Sequence, residues 1–160
     1  MSFKEDYAIE ENFYKTFFKQ YLLNKGFNLI WIYYDEENII HKELQKKNDI
    51  DLIIDNGKKN ISLSLKTVNK IYENIFFETI SNCNINTLGW GYYSKADYII
   101  YTMGYENKKY KIYKFKTNDI LNNLDLENYK IGYGYTGNLY KTEGRLIPLK
   151  DFKHEIIYEL

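Results

Sequence analysis

The sequence predicts one mixed α/β (α+β) domain over residues 1–160, with a central β-sheet flanked by helices. Three observations predict it. Residues 5–25 carry Ile9, Phe13, Phe17, Tyr21 and Leu22 at helical spacing. Residues 60–68 alternate as a half-buried strand does, with Ile61, Leu63 and Leu65 against Ser62, Ser64 and Lys66. Apolar runs of strand length recur at 27–34, 49–54, 96–103 and 111–115, separated by polar or glycine-bearing stretches.

The elements follow in order. The first helix is expected to end at Gly26, where a left-handed cap fits. A strand over 27–34 and a polar segment over 35–47, with a short helical turn, lead to a buried strand at 49–54 that begins with two carboxylates. Asn56-Gly57 is a type I′ hairpin signal, because both central positions of that turn need positive φ. Residues 73–81 read as a strand or a helix start, and 82–95, with Gly89, Trp90 and Gly91, as a loop. A short helix over 118–124 is capped by Thr117 or Asn118. The end of the chain holds Gly134 and Gly137, a strand near Leu146 and Ile147, and a closing helix or strand from Asp151.

Composition narrows the functional classes. Apolar residues make up 44% of the chain, enough for a core without disulfide or metal staples, and Cys83 is the only cysteine. The 22 cationic and 22 anionic side chains cancel, which argues against indiscriminate coating of DNA. Arg145 is the single arginine, so bidentate base reading has little to draw on. No apolar run approaches the roughly 18 residues of a membrane span, and no signal peptide is recognisable, so the expectation is a cytoplasmic chain with no membrane partner. His41 and His154 lack the spacing of zinc ligands. The GYGYTG at 132–137 lacks the lysine of a phosphate loop.

The segment that carries chemistry runs from Asp51 to Lys66. Lys66 sits between apolar neighbours in a strand, where an ammonium needs water, a carboxylate or a phosphate. A carboxylate and a lysine on neighbouring antiparallel strands can converge to about 5–6 Å. Phosphodiester cleavage asks for that pairing: a metal-holding acid, a group that orients water, and a cation beside the phosphate. A lysine that snorkels to the surface, beside an Asp at a strand end, is the structural alternative.

These residues resemble the PD-(D/E)xK nuclease superfamily. Asp51 matches its strand-start Asp and Lys66 its Lys, while Ser64 stands where the acid of the acid-x-Lys triplet belongs. The resemblance implies a restriction-endonuclease-like core and a Mg2+- or Mn2+-dependent DNA endonuclease of restriction, repair or phage origin. It implies Asp51, Lys66, Glu78 and Ser64 as catalytic residues. The metal would be held by Asp51, Glu78 and the backbone carbonyl of Leu65, with Glu11, or its neighbour Glu10, in support from the first helix. A narrower likeness, to phage and bacterial members, rests on Gln45, Asp51, Lys66 and Glu78 in that order, with Gly89-Trp90 and Ala96-Asp97-Tyr98 after them. Gln45, Lys47, Trp90, Tyr92 and Lys95 are the expected DNA contacts, Trp90 and Tyr92 by stacking on bases. A Trp closing a core edge, a solvated lysine pair and a helix-capping Glu78 are the plain alternatives for those residues. Cutting both strands would call for a homodimer.

Ser64 opens a second reading. A nuclease fold retired from catalysis would serve as a protein-binding module, for instance a phage inhibitor of a host defence nuclease. A third is a nucleic-acid-binding subunit, for which the aromatic loop alone argues.

Overall fold

The computed structural model describes residues 3–35, 45–107, 109–136 and 140–159; His41 and Gly137 lie outside them. It is a mixed α/β arrangement in three layers. Helices pack on one face of a six-stranded sheet, and a four-stranded sheet packs on the other.

The first layer is the amphipathic N-terminal helix, with one irregularity. Helix α1 (Phe3–Phe13) passes through a π-helical turn (Tyr14–Phe18) into α2 (Lys19–Asn24). The π-helical turn lies within the aromatic cluster that this face presents to the sheet. Phe13, Tyr14 and Phe18 are all fully buried, and the Phe13 and Phe18 rings stack at 5.6 Å. The helix ends at Gly26, whose φ of +81° suits a residue with no Cβ. There Phe27 N–H donates to the Leu22 carbonyl and Gly26 N–H to that of Leu23.

The central sheet has the order β1-β2-β3-β6-β7-β10. Strands β1 (Asn28–Ile32), β2 (Leu52–Asp55) and β3 (Asn60–Val68) form an antiparallel meander. Strand β6 (Tyr98–Met103) then lies parallel beside β3, placing Ser64 opposite Ile99 and Lys66 opposite Tyr101. Strands β7 (Lys111–Phe115) and β10 (Glu155–Glu159) complete the sheet in antiparallel fashion. The β2–β3 hairpin forms, but not through a two-residue type I′ turn. Asp55 pairs with Asn60, and of the turn residues only Gly57 has positive φ. The Asn56 carboxamide oxygen accepts from Lys58 and Lys59 N–H, and Asp55 Oδ1 from Gly57 N–H, so side-chain turns set a longer connection.

The chain leaves β3 to build part of the third layer before returning as β6. Strand β4 (Asn74–Asn82) pairs with the short β5 (Thr87–Leu88), and helix α3 (Trp90–Tyr93) follows. Strands β8 (Ile131–Thr136) and β9 (Tyr140–Pro148) join later, giving the order β5-β4-β9-β8. Helix α4 (Thr117–Asn123) adds Ile120 to the same layer. Residues 73–81 are therefore a strand, part of the expected 82–95 loop is helical, and the chain closes on a strand. This second sheet was not foreseen.

Two cores result. One unites Phe13, Tyr14, Phe18 and Leu22 with Leu52, Leu63, Leu65 and Ile100 of the central sheet. The other unites Ile99, Tyr101, Met103 and Phe115 with Ile75, Phe77 and Ile147 of the second sheet, closed by Trp90. Alternation along β3 decides what faces this second core. Leu63 and Leu65 point to the helices, so Ser64 and Lys66 point between the sheets. Among the described residues no helix is long and apolar enough to cross a membrane.

Candidate active site at the junction of β2 and β3

Ladder pairing between β2 and β3 extends from Asp55↔Asn60 to Leu52↔Leu63. One residue before β2, Asp51 N–H still donates to the Leu63 carbonyl at 2.9 Å, and the Asp51 carbonyl accepts from Tyr33 N–H. Beyond that point a side chain replaces the ladder. Asp51 Oδ2 accepts from Leu65 N–H at 2.8 Å, filling the position that a backbone carbonyl would hold.

Two residues earlier, Asp49 sits in the left-handed region at φ +53°. Asp tolerates that conformation better than most residues, though it costs on the order of 1 kcal/mol. Its N–H closes the helical turn at 45–48 by donating to the Gln45 carbonyl at 2.9 Å. The turn delivers its carboxylate to β3. Asp49 Oδ2 accepts from the Ser64 hydroxyl at 2.8 Å, and Asp49 Oδ1 from Lys66 Nζ at 2.6 Å. Lys66 Nζ also lies 5.7 Å from the centre of the Trp90 ring, a cation–π contact.

The cluster is nearly dry. Asp49 and Asp51 are 1% exposed, Ser64 is 0%, and the Lys66 side chain retains 16%. Burial sets the protonation balance. It pushes the Asp51 carboxyl up to about 6; Lys66, the Leu65 N–H and the Ser64 hydroxyl oppose the rise, and Asp49 adds to it. Burial would lower Lys66, but Asp49, Glu10 and Asp51 together leave its ammonium held above the usual lysine range. Tyr93, at the edge of the cluster, is pushed up to about 12 by burial first and by Asp49 next. Asp51 Oδ1 is buried without a hydrogen-bond partner. An unmet carboxylate oxygen in such a place is a costly arrangement for the folded chain.

The remaining expected residues distribute as follows. Glu78, on β4, receives the Trp90 N–H at 3.4 Å where α3 begins. It contributes to the field at Tyr93, and among the described residues no three His, Cys, Asp or Glu side chains gather as a metal-ligand set. Glu11 pairs with Lys15 at 2.7 Å on the outer side of α1, and Glu10 is the helix acid whose charge reaches Lys66. Leu65 contributes its N–H to Asp51. Trp90 is 6% exposed and packs edge-on against Phe77 at 5.2 Å, inside the core, whereas Tyr92 is exposed. Lys46 and Lys47 line a groove of about 470 Å³ with Ser81, Thr87, Leu88 and Tyr93. Lys95 is exposed and its N–H donates to the Asn48 carbonyl, tying the loop after α3 to the helical turn. His154 contacts the Phe152 carbonyl and the Tyr113 ring, so it serves packing.

Asp49 is the member whose role sequence reading did not assign, and Tyr93, read with Trp90 and Tyr92 as an aromatic of the loop that could stack on bases, lies at the edge of the cluster instead. The pair of carboxylates before β2 was visible, but the i, i+2 rule of an extended segment does not place Asp49, whose backbone is left-handed. Compared with known proteins, the chain matches no family model, no curated protein and no solved structure.

Proposed function

We propose that this chain is a divalent-cation-dependent phosphodiesterase acting on DNA, with Asp51 as a cation ligand and Lys66 as the group that meets the phosphate. One observation carries the reading: Asp51 Oδ1, buried and without a hydrogen-bond partner, in a cluster where Lys66 is paired with Asp49 and feels the charge of Asp51. The residues present fit Mg2+ or Mn2+, which are held by one or two carboxylates and complete their shells with water and substrate oxygens. Further support comes from placement. Asp51 stands immediately before one strand, Lys66 lies on the next antiparallel strand, and an acid from the first helix acts on that lysine. That order is the one the resemblance to the restriction-endonuclease-like core implies.

When bound, the cation would supply positive charge against the phosphate and a polarised water. The chain's own residues do the rest. Lys66, fully ionised, offsets charge on the phosphate oxygens, and the Trp90 ring limits where its ammonium can lie. Asp51 is kept in place by the Leu65 N–H, so its free oxygen needs no reorganisation to receive a ligand. The second sheet and Trp90 exclude bulk water, which strengthens each of these interactions. Lys46 and Lys47 in the adjoining groove are the cations best placed to meet the DNA backbone. The test is hydrolysis of single- and double-stranded DNA in Mg2+ and Mn2+. Cutting that stops with chelator and in Asp51→Asn supports the reading, and a folded wild type inert in both ions rules it out.

One observation favours a second reading, the retired fold that binds another protein: the Lys66 charge is already met by Asp49. On that reading no divalent ion binds, and stability is indifferent to Mn2+.

A further inference from the structure

We propose that Asp49 is the second acidic ligand of this site, standing in for the carboxylate that position 64 lacks. The proposal rests on the cation-dependent reading of Asp51 and concerns which acid completes it. Position 64 carries a neutral hydroxyl on the face of β3 that also bears Lys66. The Asp49 carboxylate lies between those two side chains, bonded to Ser64 Oγ at 2.8 Å and to Lys66 Nζ at 2.6 Å. It thus fills the space into which an acid at position 64 would project. The left-handed backbone at Asp49, φ +53°, is what turns the side chain there from a neighbouring segment.

Counter-charge for Lys66 does not by itself explain the arrangement. A single carboxylate would neutralise one ammonium, yet two are buried here, and the second leaves Oδ1 unmet. Glu10 adds a further acid within electrostatic reach of Lys66. A bound cation would offset the excess of negative charge in this dry cluster and meet the orphaned oxygen. Each Asp49 oxygen receives one hydrogen bond and retains capacity for another contact. Two carboxylates and one open oxygen suit an ion that keeps part of its water shell.

Calorimetric titration with MnCl2 of wild type, Asp49→Asn and the double variant Asp49→Asn/Ser64→Asp tests the exchange, with circular dichroism to check folding. Asp49→Asn should weaken Mn2+ binding by about tenfold or more, and the double variant should recover most of it. Wild-type affinity in Asp49→Asn overturns the proposal, as does a folded double variant that stays as weak as the single one. If Asp49→Asn does not fold, a Mn2+-soaked crystal of the wild type decides. Density joined to both Asp49 and Asp51 supports the proposal; density on Asp51 alone, with Asp49 still on Lys66, overturns it. Binding lost in Asp51→Asn but kept in Asp49→Asn sinks this assignment and leaves the cation site standing. A wild type that binds no Mn2+ at all sinks both.

Discussion

Ser64 donates its hydroxyl to Asp49 at 2.8 Å, fifteen residues away in sequence, with both groups sealed from solvent. The bond ties β3 to the segment that precedes β2 and steadies the carboxylate that holds Lys66. Ser64→Ala removes a donor from a buried carboxylate and should cost about 1–3 kcal/mol, measured by urea denaturation. A loss below a few tenths would show that water replaces the hydroxyl.

Lys66 should matter more to stability than any exposed lysine. Lys66→Met leaves Asp49 and Asp51 buried with no cation and is expected to destabilise by about 3–5 kcal/mol. Lys15→Met, which breaks the exposed pair with Glu11, should cost no more than about 0.5 kcal/mol. Equal midpoints for the two variants would contradict the electrostatic account.

In the absence of divalent ions, stability should fall as pH rises from about 4 to about 7. The Asp51 carboxyl is raised from 3.8 to about 6 in the folded chain. Between those values the folded state binds more protons than the unfolded one, so raising the pH favours unfolding. Two pH units correspond to roughly 3 kcal/mol. Lys66 works in the same sense but higher up: its raised value stabilises the fold below the ordinary lysine range, and that contribution is lost only in strong alkali. Asp51→Asn should flatten the acidic slope, which thermal melts across this window would show.

Gly91→Ala should loosen the roof of the site. A Cβ there would lie 2.5 Å from Phe77 Cε1 and 2.7 Å from the Glu78 carbonyl, so α3 must move away from β4. The expected cost is about 1–3 kcal/mol, with a red shift of Trp90 fluorescence as its ring meets water. An unchanged spectrum would mean that Phe77 yields instead.

Much of the central sheet was legible because its strands announce themselves. The alternation over 60–68 states which faces of that strand are buried, and with them the direction of Lys66, while the apolar runs at 49–54 and 96–103 mark its neighbours. That pattern brings Asp51 and Lys66 to neighbouring strands, but the ion-pair partner of the lysine is Asp49 rather than Asp51. Asp49 was visible but unassigned, because its role depends on a left-handed backbone that no periodicity encodes. Glu10 and Glu11 both lie on α1, and the choice between them depends on how that helix is rotated on the sheet, which the packing settles. The second sheet was hidden for a different reason. Gly132, Gly134 and Gly144 leave its strands with little side-chain pattern, since Phe76, Leu146 and Thr142 occupy the space above them.

A cation at this site needs the orphaned oxygen of Asp51. Calorimetric titration of the wild type and Asp51→Asn with MnCl2, at neutral pH and after chelator treatment, tests it most directly. The expected result is saturable binding of Mn2+ by the wild type, weakened by about tenfold or more in a variant that folds normally. A folded wild type with no binding heat and no Mn2+-induced rise in melting temperature would contradict the account. So would an Asp51→Asn variant that binds Mn2+ as tightly as the wild type.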